Sequence, residues 1–282
     1  MRREPSAPAR IAPVPITDAD DPRIEPYRAL RERDLVGRAD RFVAEGAVVL
    51  RVLLTRSRFP VESLLIADNR LGAVADLLNV VPAQVPIYVA APTVMDAIAG
   101  FPIHRGILAV GRRTPVLDPA GLLSSLPPRA VVVGLIGLAN HDNVGGVFRN
   151  AAAFGADAIL LDATTCDPLY RKAIRVSVGA TLMVPFARAG SADALLDSLE
   201  AAGFDVVSLS PAGGGILGDL VPAARTALLL GSEGGGLPAR LLARTRTVAI
   251  PMVGGFDSLN VATTSGIALY HLAARANGAP GR

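Results

Sequence analysis

Apolar runs of strand length recur along the second half of the chain, with segments of helical spacing between them. The predicted strands are, in order, AVVVGLIGL, ADAILLD, ATLMVPFA, FDVVSLS, TALLLG and TVAIPM. Helices are predicted over residues 144–153, 192–202, 238–244 and 258–276, because apolar positions recur there every three or four residues. Apolar strands that alternate with helices are typical of an α/β domain with a parallel sheet covered on both faces. We predict such a domain over residues 130–282.

A smaller α/β unit is predicted over residues 23–111. Residues 39–55 have helical spacing, and VESLLIA, VPIYVA and GILAVGR are strand-length apolar runs. Residues 112–129 contain four prolines and are predicted to form a linker with one short helical turn. Residues 1–22 lack a long apolar core and are punctuated by prolines, which predicts a disordered leader.

Composition narrows the possible partners. The 282 residues are 51% hydrophobic, enough for a sizeable core. A net charge of +3 permits an anionic partner such as RNA but does not require one. A single cysteine excludes an internal disulfide, and three scattered histidines predict no metal site. No apolar run approaches the roughly 18 residues of a membrane span, so a cytoplasmic protein without a membrane partner is expected.

Three glycine-rich or amide-rich segments each follow a predicted strand. They are GLANHDNVGGVFRNAAAFG (residues 137–155), LLLGSEGGGLP (228–238) and AIPMVGGFDSLNVATTSG (249–266). Ligands of open α/β sheets bind beyond the carboxyl ends of the strands. We therefore expect these segments to carry the chemistry.

The glycine loop GSEGGG does not fit a phosphate. No GxGxxG follows the strand at 131–138, and no GxxxxGK[ST] occurs anywhere. A phosphate about 4 Å from Glu233 would cost about 4 kcal/mol at an effective dielectric near 20. A neutral or cationic ligand fits better, and a plain glycine turn with a solvated glutamate remains an alternative.

Capping chemistry predicts where two helices begin. Ser258 is the predicted N-cap of the last helix, with Asp257 as the alternative, and Asn260 is placed in its first turn. The small side chains of that helix predict that something packs close to it; they are Thr263, Thr264, Ser265 and Gly266. In the first segment Asp142 or Asn143 is predicted at the helix start, with Arg149 about one and a half turns later.

Taken together, the three segments resemble the motifs of the SpoU (TrmH-like) 2′-O-ribose RNA methyltransferases of the SPOUT superfamily. NxxNVGGVFRNAAAFGAD, LLLGSEGGGLP and IPMVGGFDSLNVATTSGIALY match the three family motifs in order, over residues 131–274. CDPLYRKAIRVSVGA is similar to the family's connecting segment. FVAEGAVVL and HRGILAV are similar to the ribosomal-protein-like substrate-binding domain that many members carry.

The resemblance implies a fold and a reaction. The parallel sheet would end in a C-terminal trefoil knot, and S-adenosylmethionine would donate a methyl group to a ribose 2′-hydroxyl. The substrate would be RNA, rRNA rather than tRNA given the accessory domain, and the protein would be a homodimer. The implied cofactor-binding residues are Leu230, Gly231, Gly234, Ile250, Pro251, Met252, Ser258, Leu259 and Ala262.

The implied catalytic residues are Arg149, Asn143, Glu233, Ser258 and Asn260. A carboxylate in the glycine loop suits the sulfonium cation of the donor, and Glu233 is expected to hydrogen-bond Asn143 or Arg149. The family account makes Arg149 the group that activates the hydroxyl. A guanidinium titrates above about 12, so Arg149 would alternatively position the RNA phosphate and stabilise a developing alkoxide.

Other functions stay open from the sequence. One is a non-catalytic RNA-binding ribosome-assembly factor of the same fold. The other is an enzyme that binds a nucleotide phosphate through GSEGGG, which Glu233 and the missing lysine disfavour.

Overall fold

The structure is a computed structural model that describes residues 12–28, 40–100, 103, 105–115, 117–253 and 258–276. The chain divides into two compact units. One comprises Met1–Thr114 and Leu169–Leu182, and the other comprises Pro115–Pro168 and Met183–Arg282. Each unit is built around its own sheet.

The first unit contains a mixed sheet of five strands in its described part. The strands are β1 (Val14–Ile16), β2 (Arg41–Glu45), β3 (Val61–Ala67), β4 (Ile87–Ala90) and β5 (Ile107–Arg112), and the helices are α1 (Ala47–Thr55), α2 (Ala75–Leu78) and α3 (Pro92–Ala99). The sheet order is β1-β4-β3-β5-β2. Strands β1, β4 and β3 run parallel, whereas β5 is antiparallel to both of its neighbours.

The prediction of a disordered leader over residues 1–22 is wrong for its last part. Strand β1 pairs with β4 in parallel register, and Ile16 is buried in the core. A 3-10 helix over Pro22–Tyr27 follows and buries Ile24 and Tyr27. Proline is tolerated here because β1 is an edge strand, where a missing N–H need not break the ladder. Residues 1–11 lie outside the described residues.

The helical spacing predicted over residues 39–55 is confirmed for its second half and wrong for its first half. Strand β2 and helix α1 share this stretch and are separated by Gly46, whose φ is +95°. Phe42, Val43 and Ala44 are all buried, so the strand has a continuous apolar run without alternation. Such a run cannot be distinguished from a buried helical segment by periodicity.

The second unit contains a sheet of seven strands in its described part. They are β6 (Ala130–Leu135), β7 (Ala158–Leu161), β8 (Phe186–Arg188), β9 (Asp205–Leu209), β10 (Gly215–Ile216), β11 (Arg225–Leu230) and β12 (Arg246–Ala249). The order is β10-β12-β9-β11-β6-β7-β8, and every neighbouring pair is parallel. The predicted α/β fold with a parallel sheet is confirmed.

Helices cover this sheet. They are α4 (Pro119–Ser124), α5 (His141–Phe154), α7 (Ala192–Ala201), α8 (Ala239–Leu242) and α9 (Val261–Ala276), while α6 (Arg171–Val176) belongs to the first unit. Leu195 and Leu199 of α7 pack with Leu229 in a continuous apolar cluster. Phe148 of α5 contacts Phe186 edge to face, with ring centroids 5.8 Å apart. Residues of ATLMVPFA form a strand only at their end, because Ala180–Leu182 is a 3-10 helix.

The segment Leu169–Leu182 lies in sequence between β7 and β8, yet it packs in the first unit. Arg171 Nη1 lies 2.9 Å from Oε2 of Glu45, a residue only 8% exposed. Leu182 accepts a hydrogen bond from the main-chain N–H of Arg58. The chain therefore contributes α6 to the unit that was predicted to bind substrate.

We expect Arg171→Met to lower the free energy of unfolding by about 3 kcal/mol, because it leaves the buried Glu45 carboxylate without its cation. The matched control is Arg51→Met, whose partner Asp76 is 59% exposed. An exposed pair contributes less than about 1 kcal/mol. Urea unfolding of the full chain measures both values, and equal losses in the two variants would contradict the prediction.

Candidate active site

Two of the three predicted segments meet at one edge of the second sheet. Strands β6 and β11 are parallel neighbours, so the loops that follow Leu135 and Leu230 leave from the same edge. They line a cavity of about 230 Å³, which we call the cleft. Its lining residues are Gly137, Leu138, Ala139, Asn140, Asn143, Ser232, Glu233 and Gly234.

The glycine loop after β11 is a closed turn. The N–H of Gly236 donates to the carbonyl of Ser232 at 2.9 Å. A Cβ atom on Gly231 would lie only 2.3 Å from the carbonyl carbon of Gly236, which leaves no room for a side chain. Glu233 is exposed within this turn and lines the cavity.

The expected hydrogen bond from Asn143 or Arg149 to Glu233 is wrong. The Asn143 amide oxygen accepts a hydrogen bond from Asn260 instead, and among the described residues Glu233 forms no hydrogen bond or ion pair. A carboxylate without a counter-charge therefore borders the cleft. That arrangement favours a ligand with positive charge over a phosphate.

Both helix starts differ from the sequence prediction by two or three residues. Helix α5 begins at His141, and its N-cap is Asn140, whose side chain accepts from the N–H of Asp142. Asp142 and Asn143 thus lie inside the first turn, and neither is the cap.

Helix α9 begins at Val261, and its N-cap is Asn260 and not Ser258. Asn260 Oδ1 accepts from the N–H of Ala262 at 2.9 Å and of Thr263 at 3.3 Å. Asp257, the alternative cap, lies outside the described residues. The cap is decided by tertiary contact, since the Asn260 amide also has a partner on α5.

That partner is Asn143. Asn260 Nδ2 donates to Asn143 Oδ1 at 2.9 Å, across 117 positions of sequence. Asn143 is 5% exposed, so its amide oxygen needs a protein partner. One amide therefore caps α9 and joins the third segment to the first, which brings all three segments to one site.

We expect Asn260→Ala to lower the free energy of unfolding by about 2–3 kcal/mol, because it removes the cap of α9 and leaves the buried amide oxygen of Asn143 without a hydrogen-bond donor. Ser258→Ala, the matched control, should stay within about 0.5 kcal/mol of the parent chain in the same urea titration. The reverse order of effects would show that Ser258 caps the helix in solution.

Asn150 is a residue that the sequence reasoning missed. Its Nδ2 donates to the carbonyl of Ala262 at 2.6 Å and to Ser265 Oγ at 2.9 Å. A Cβ on Gly146 would lie 2.6 Å from that of Ala262, so small residues allow α5 and α9 to pack closely. The prediction that something packs against the small residues of the last helix is confirmed, and the neighbour is α5. The available signal was a polar residue directly after Arg149.

Arg149 is exposed on α5 and forms no ion pair within the described part of the chain. It is therefore free to meet an anion from solution.

The predicted cofactor residues lie on the glycine loop, after β12 and around the start of α9. Leu230 is buried at the end of β11, while Gly231 is half-buried and Gly234 is exposed. Ile250 and Met252 are half-buried and Pro251 is exposed. Near the start of α9, Ser258 and Leu259 are exposed and Ala262 is half-buried. Residues 254–257 of the third segment lie outside the described residues.

Three further features bear on function. Burial raises the pKa of the Cys166 thiol to about 11, and the neighbouring Asp167 carboxylate adds to the shift. A thiol of that pKa is protonated at neutral pH and is a poor nucleophile. Among the described residues, no group of three or more His, Cys, Asp or Glu side chains is placed to hold a metal ion. Within that same part of the chain, every helix is too short or too polar to cross a bilayer.

Comparison with known proteins identifies relatives over nearly the whole chain. The sequence profile of the SpoU rRNA Methylase family matches residues 130–270. An uncharacterized tRNA/rRNA methyltransferase of Mycobacterium bovis is 40% identical over 264 residues, which cover 90% of each chain. A protein of the same description from Mycobacterium tuberculosis CDC 1551 is also 40% identical over 264 residues, with the same coverage.

Solved structures of RNA methyltransferases are also similar to this chain over nearly its whole length. The AdoMet-bound rRNA methyltransferase of Sinorhizobium meliloti is 25% identical with a TM-score of 0.77, and the match covers 93% of this chain and 98% of that one. A structure described as an RNA 2′-O ribose methyltransferase is 26% identical, also with a TM-score of 0.77, and the match covers 94% of this chain and all of that one.

Proposed function

We propose, because this chain belongs to the SpoU rRNA methylase family, that it transfers a methyl group from S-adenosylmethionine to a ribose 2′-hydroxyl of structured RNA. The coarser activity, methylation of tRNA or rRNA with this donor, is that of the family. The sugar hydroxyl as acceptor is supported by the neighbour described as an RNA 2′-O ribose methyltransferase. The choice of rRNA over tRNA is supported by the rRNA methyltransferase of Sinorhizobium meliloti.

The observation that carries the proposal is the Asn143–Asn260 hydrogen bond beside a cleft with an uncompensated carboxylate. When bound, S-adenosylmethionine supplies a methyl group activated on a positively charged sulfur. Glu233 has the right sign for that charge. Gly231 allows the glycine-loop turn to close beside the cleft, because a side chain there would meet the main chain of Gly236 and Leu237.

The residues proposed to hold the cofactor are those that the family resemblance implies: Leu230, Gly231, Gly234, Ile250, Pro251, Met252, Ser258, Leu259 and Ala262. In the described structure they lie at or after the end of β11, after β12 or around the start of α9. Asn143 is proposed to orient the ribose, and Ser258 and Asn260 to support the third segment.

Arg149 is proposed to bind the RNA and not to remove its proton. Lowering a guanidinium pKa from about 12 to about 7 would cost roughly 7 kcal/mol, and Arg149 is exposed. As a permanent cation it can contact a phosphate next to the target and stabilise the alkoxide as the 2′-hydroxyl loses its proton. The proton then passes to phosphate oxygen or water.

Two further family properties are proposed here. A homodimer is supported by exposed apolar side chains on and before α9, where Tyr270 is 63% and Val253 is 90% exposed. A threaded C-terminus is proposed from the family resemblance alone. RNA binding by the N-terminal unit remains a prediction, as do the predicted boundaries at residues 111 and 130.

The test is methylation of purified rRNA and tRNA by the protein with labelled donor, followed by alkaline hydrolysis. A methyl group on the 2′-oxygen blocks cleavage at that nucleotide, so label should appear in an alkali-resistant dinucleotide from rRNA. Label on a base would overturn the ribose assignment, and label in tRNA alone would overturn the choice of RNA. Tight RNA binding without label would favour the non-catalytic assembly factor.

A further inference from the structure

A buried carboxylate lies directly behind the wall of the cleft. Asp162 follows β7 and is 4% exposed. Its Oδ1 accepts a hydrogen bond from the main-chain N–H of Gly137 at 3.2 Å, and Gly137 lines the cleft. This carboxylate comes from a loop that none of the three motif segments includes.

The carboxylate is fully engaged. Thr165 donates to Oδ1 from its N–H at 2.8 Å and from its hydroxyl at 2.7 Å, and the Thr164 hydroxyl donates to Oδ2 at 2.6 Å. Burial alone would raise the pKa of Asp162, but the hydrogen bonds from Thr164, Thr165 and Gly137 outweigh it and hold the pKa below its ordinary value. Asp162 is therefore a fixed anion at neutral pH.

The loop around Asp162 is itself held in place. Arg188 Nη1 donates to the carbonyls of Asp162 and Thr165, both at 2.7 Å. The N–H of Cys166 donates to the carbonyl of Leu138 at 2.8 Å. These bonds connect the loops at the carboxyl ends of β6, β7 and β8. Asp162 connects these loops to Gly137 in the wall of the cleft.

The turn that Asp162 holds faces the glycine loop across the cleft. Gly137 has a φ of +72°, and a Cβ there would lie 3.5 Å from Cβ of Ser232, on the opposite wall of the cleft. Asn140, at the end of the same turn, caps α5. The turn therefore lines the cleft and leads directly into the first turn of α5, which carries Asn143.

We propose that Asp162 is a positioning residue for methyl transfer, which holds the turn 137–140 and the start of α5 against the glycine loop. The inference rests on the proposed function. Asp162 acts through Gly137 and Asn143 and does not touch the substrate. We expect its effect on the geometry of reaction more than on cofactor affinity, because Asp162 contacts the turn 137–140, whereas the residues proposed to bind the donor lie on the glycine loop, after β12 and at the start of α9.

The chain offers a matched control. Asp157 Oδ2 accepts from the N–H of Val131 at 2.8 Å, so it makes the same kind of bond at the opposite, amino end of β6. Asp157→Ala removes a carboxylate-to-main-chain bond from the same strand without touching the cleft. If the Asp162 bond only stabilises the fold, Asp162→Ala and Asp157→Ala should change kcat equally.

The experiment compares Asp162→Ala, Asp162→Asn and Asp157→Ala at a temperature where circular dichroism shows each to be folded. For Asp162→Ala we expect kcat to fall by about 10²-fold, because small misplacements of reacting groups carry penalties of that size. KM for RNA and Kd for S-adenosylmethionine should stay within about threefold of the parent values. Asp162→Asn keeps the acceptor for Gly137 and should recover most of the lost kcat, whereas Asp157→Ala should retain the parent kcat.

Asp162→Ala with the kcat of Asp157→Ala would overturn the inference, as would a loss confined to KM or to cofactor Kd. If Asp162→Ala does not fold, Asp162→Leu decides, because leucine fills the same space but accepts no hydrogen bond from Gly137: a kcat below that of Asp157→Ala with unchanged Kd supports the role, and an equal kcat rejects it. A parent protein that methylates no RNA would overturn the proposed function and this inference with it. That result differs from a failure of this inference alone, in which the parent protein methylates RNA and the Asp162 variants do so equally well.

Discussion

Arg149→Ala should lower methyl transfer to RNA by about 10³-fold, a size typical of losing a donor that stabilises transition-state charge, and should leave S-adenosylmethionine affinity unchanged. Arg149 is exposed on α5 and belongs to none of the segments proposed to hold the donor. Its removal therefore affects the RNA side of the reaction. Single-turnover transfer measures the loss, and calorimetry with the donor alone measures the affinity.

Arg240→Ala is the control for charge. Arg240 is an exposed arginine of the same unit, 62% accessible and paired with Asp193, and its removal lowers the net charge by the same amount. Transfer by this variant should match the parent protein. If Arg149→Ala loses cofactor affinity, or if both variants lose transfer equally, the assigned role is wrong.

Arg149→Lys separates the electrostatic role from that of a base. A lysine keeps the positive charge but has an ordinary pKa of about 10.4. If the residue stabilises charge, the variant should retain partial transfer that declines as the pH rises through the lysine pKa, because the cation is then lost. If it removes a proton, transfer should instead rise over the same pH interval.

Gly231→Ala should raise the Kd for S-adenosylmethionine by about 10–10²-fold. The new Cβ would lie 2.3 Å from the carbonyl carbon of Gly236 and 2.5 Å from the N of Leu237, which are main-chain atoms. Overpacking of this kind costs about 1–3 kcal/mol, and each 1.4 kcal/mol is about tenfold in Kd. We expect the turn to open, which would displace Ser232, Glu233 and Gly234 from the wall of the cleft. Calorimetric titration gives the Kd.

Gly235→Ala is the matched control in the same turn. A Cβ there would lie 3.6 Å from Ser232 Oγ, an ordinary contact. Its Kd should remain within about twofold of the parent value, since surface changes away from strain or packing cost within about 0.5 kcal/mol. Equal affinities for both variants would show that the closed turn is not part of the donor site.

The α/β architecture could be predicted from the chain because each element has its own local pattern of apolar and polar residues. Apolar runs such as ADAILLD and TALLLG are short, bounded by turn residues and separated by helical segments, so each element's type follows from its own residues. The two-residue strand β10 is too short to carry a pattern. The failures at Gly46 and at residues 14–22 share one cause: a buried strand without alternation, or an edge strand with prolines, has no local signature that separates it from helix or coil.

The sequence alone identified the candidate residues: the glycine loop with its carboxylate at Glu233, the cation Arg149, and the amides Asn143 and Asn260. Only the tertiary structure decided how these residues are arranged. The Asn260 side chain became the cap of α9 because α5 supplies Asn143 as a partner 117 positions away, and Asp162 reaches the cleft only because β7 lies beside β6 in the sheet. Local preferences of this kind are within about 1 kcal/mol of one another, so a single long-range hydrogen bond is enough to choose among them.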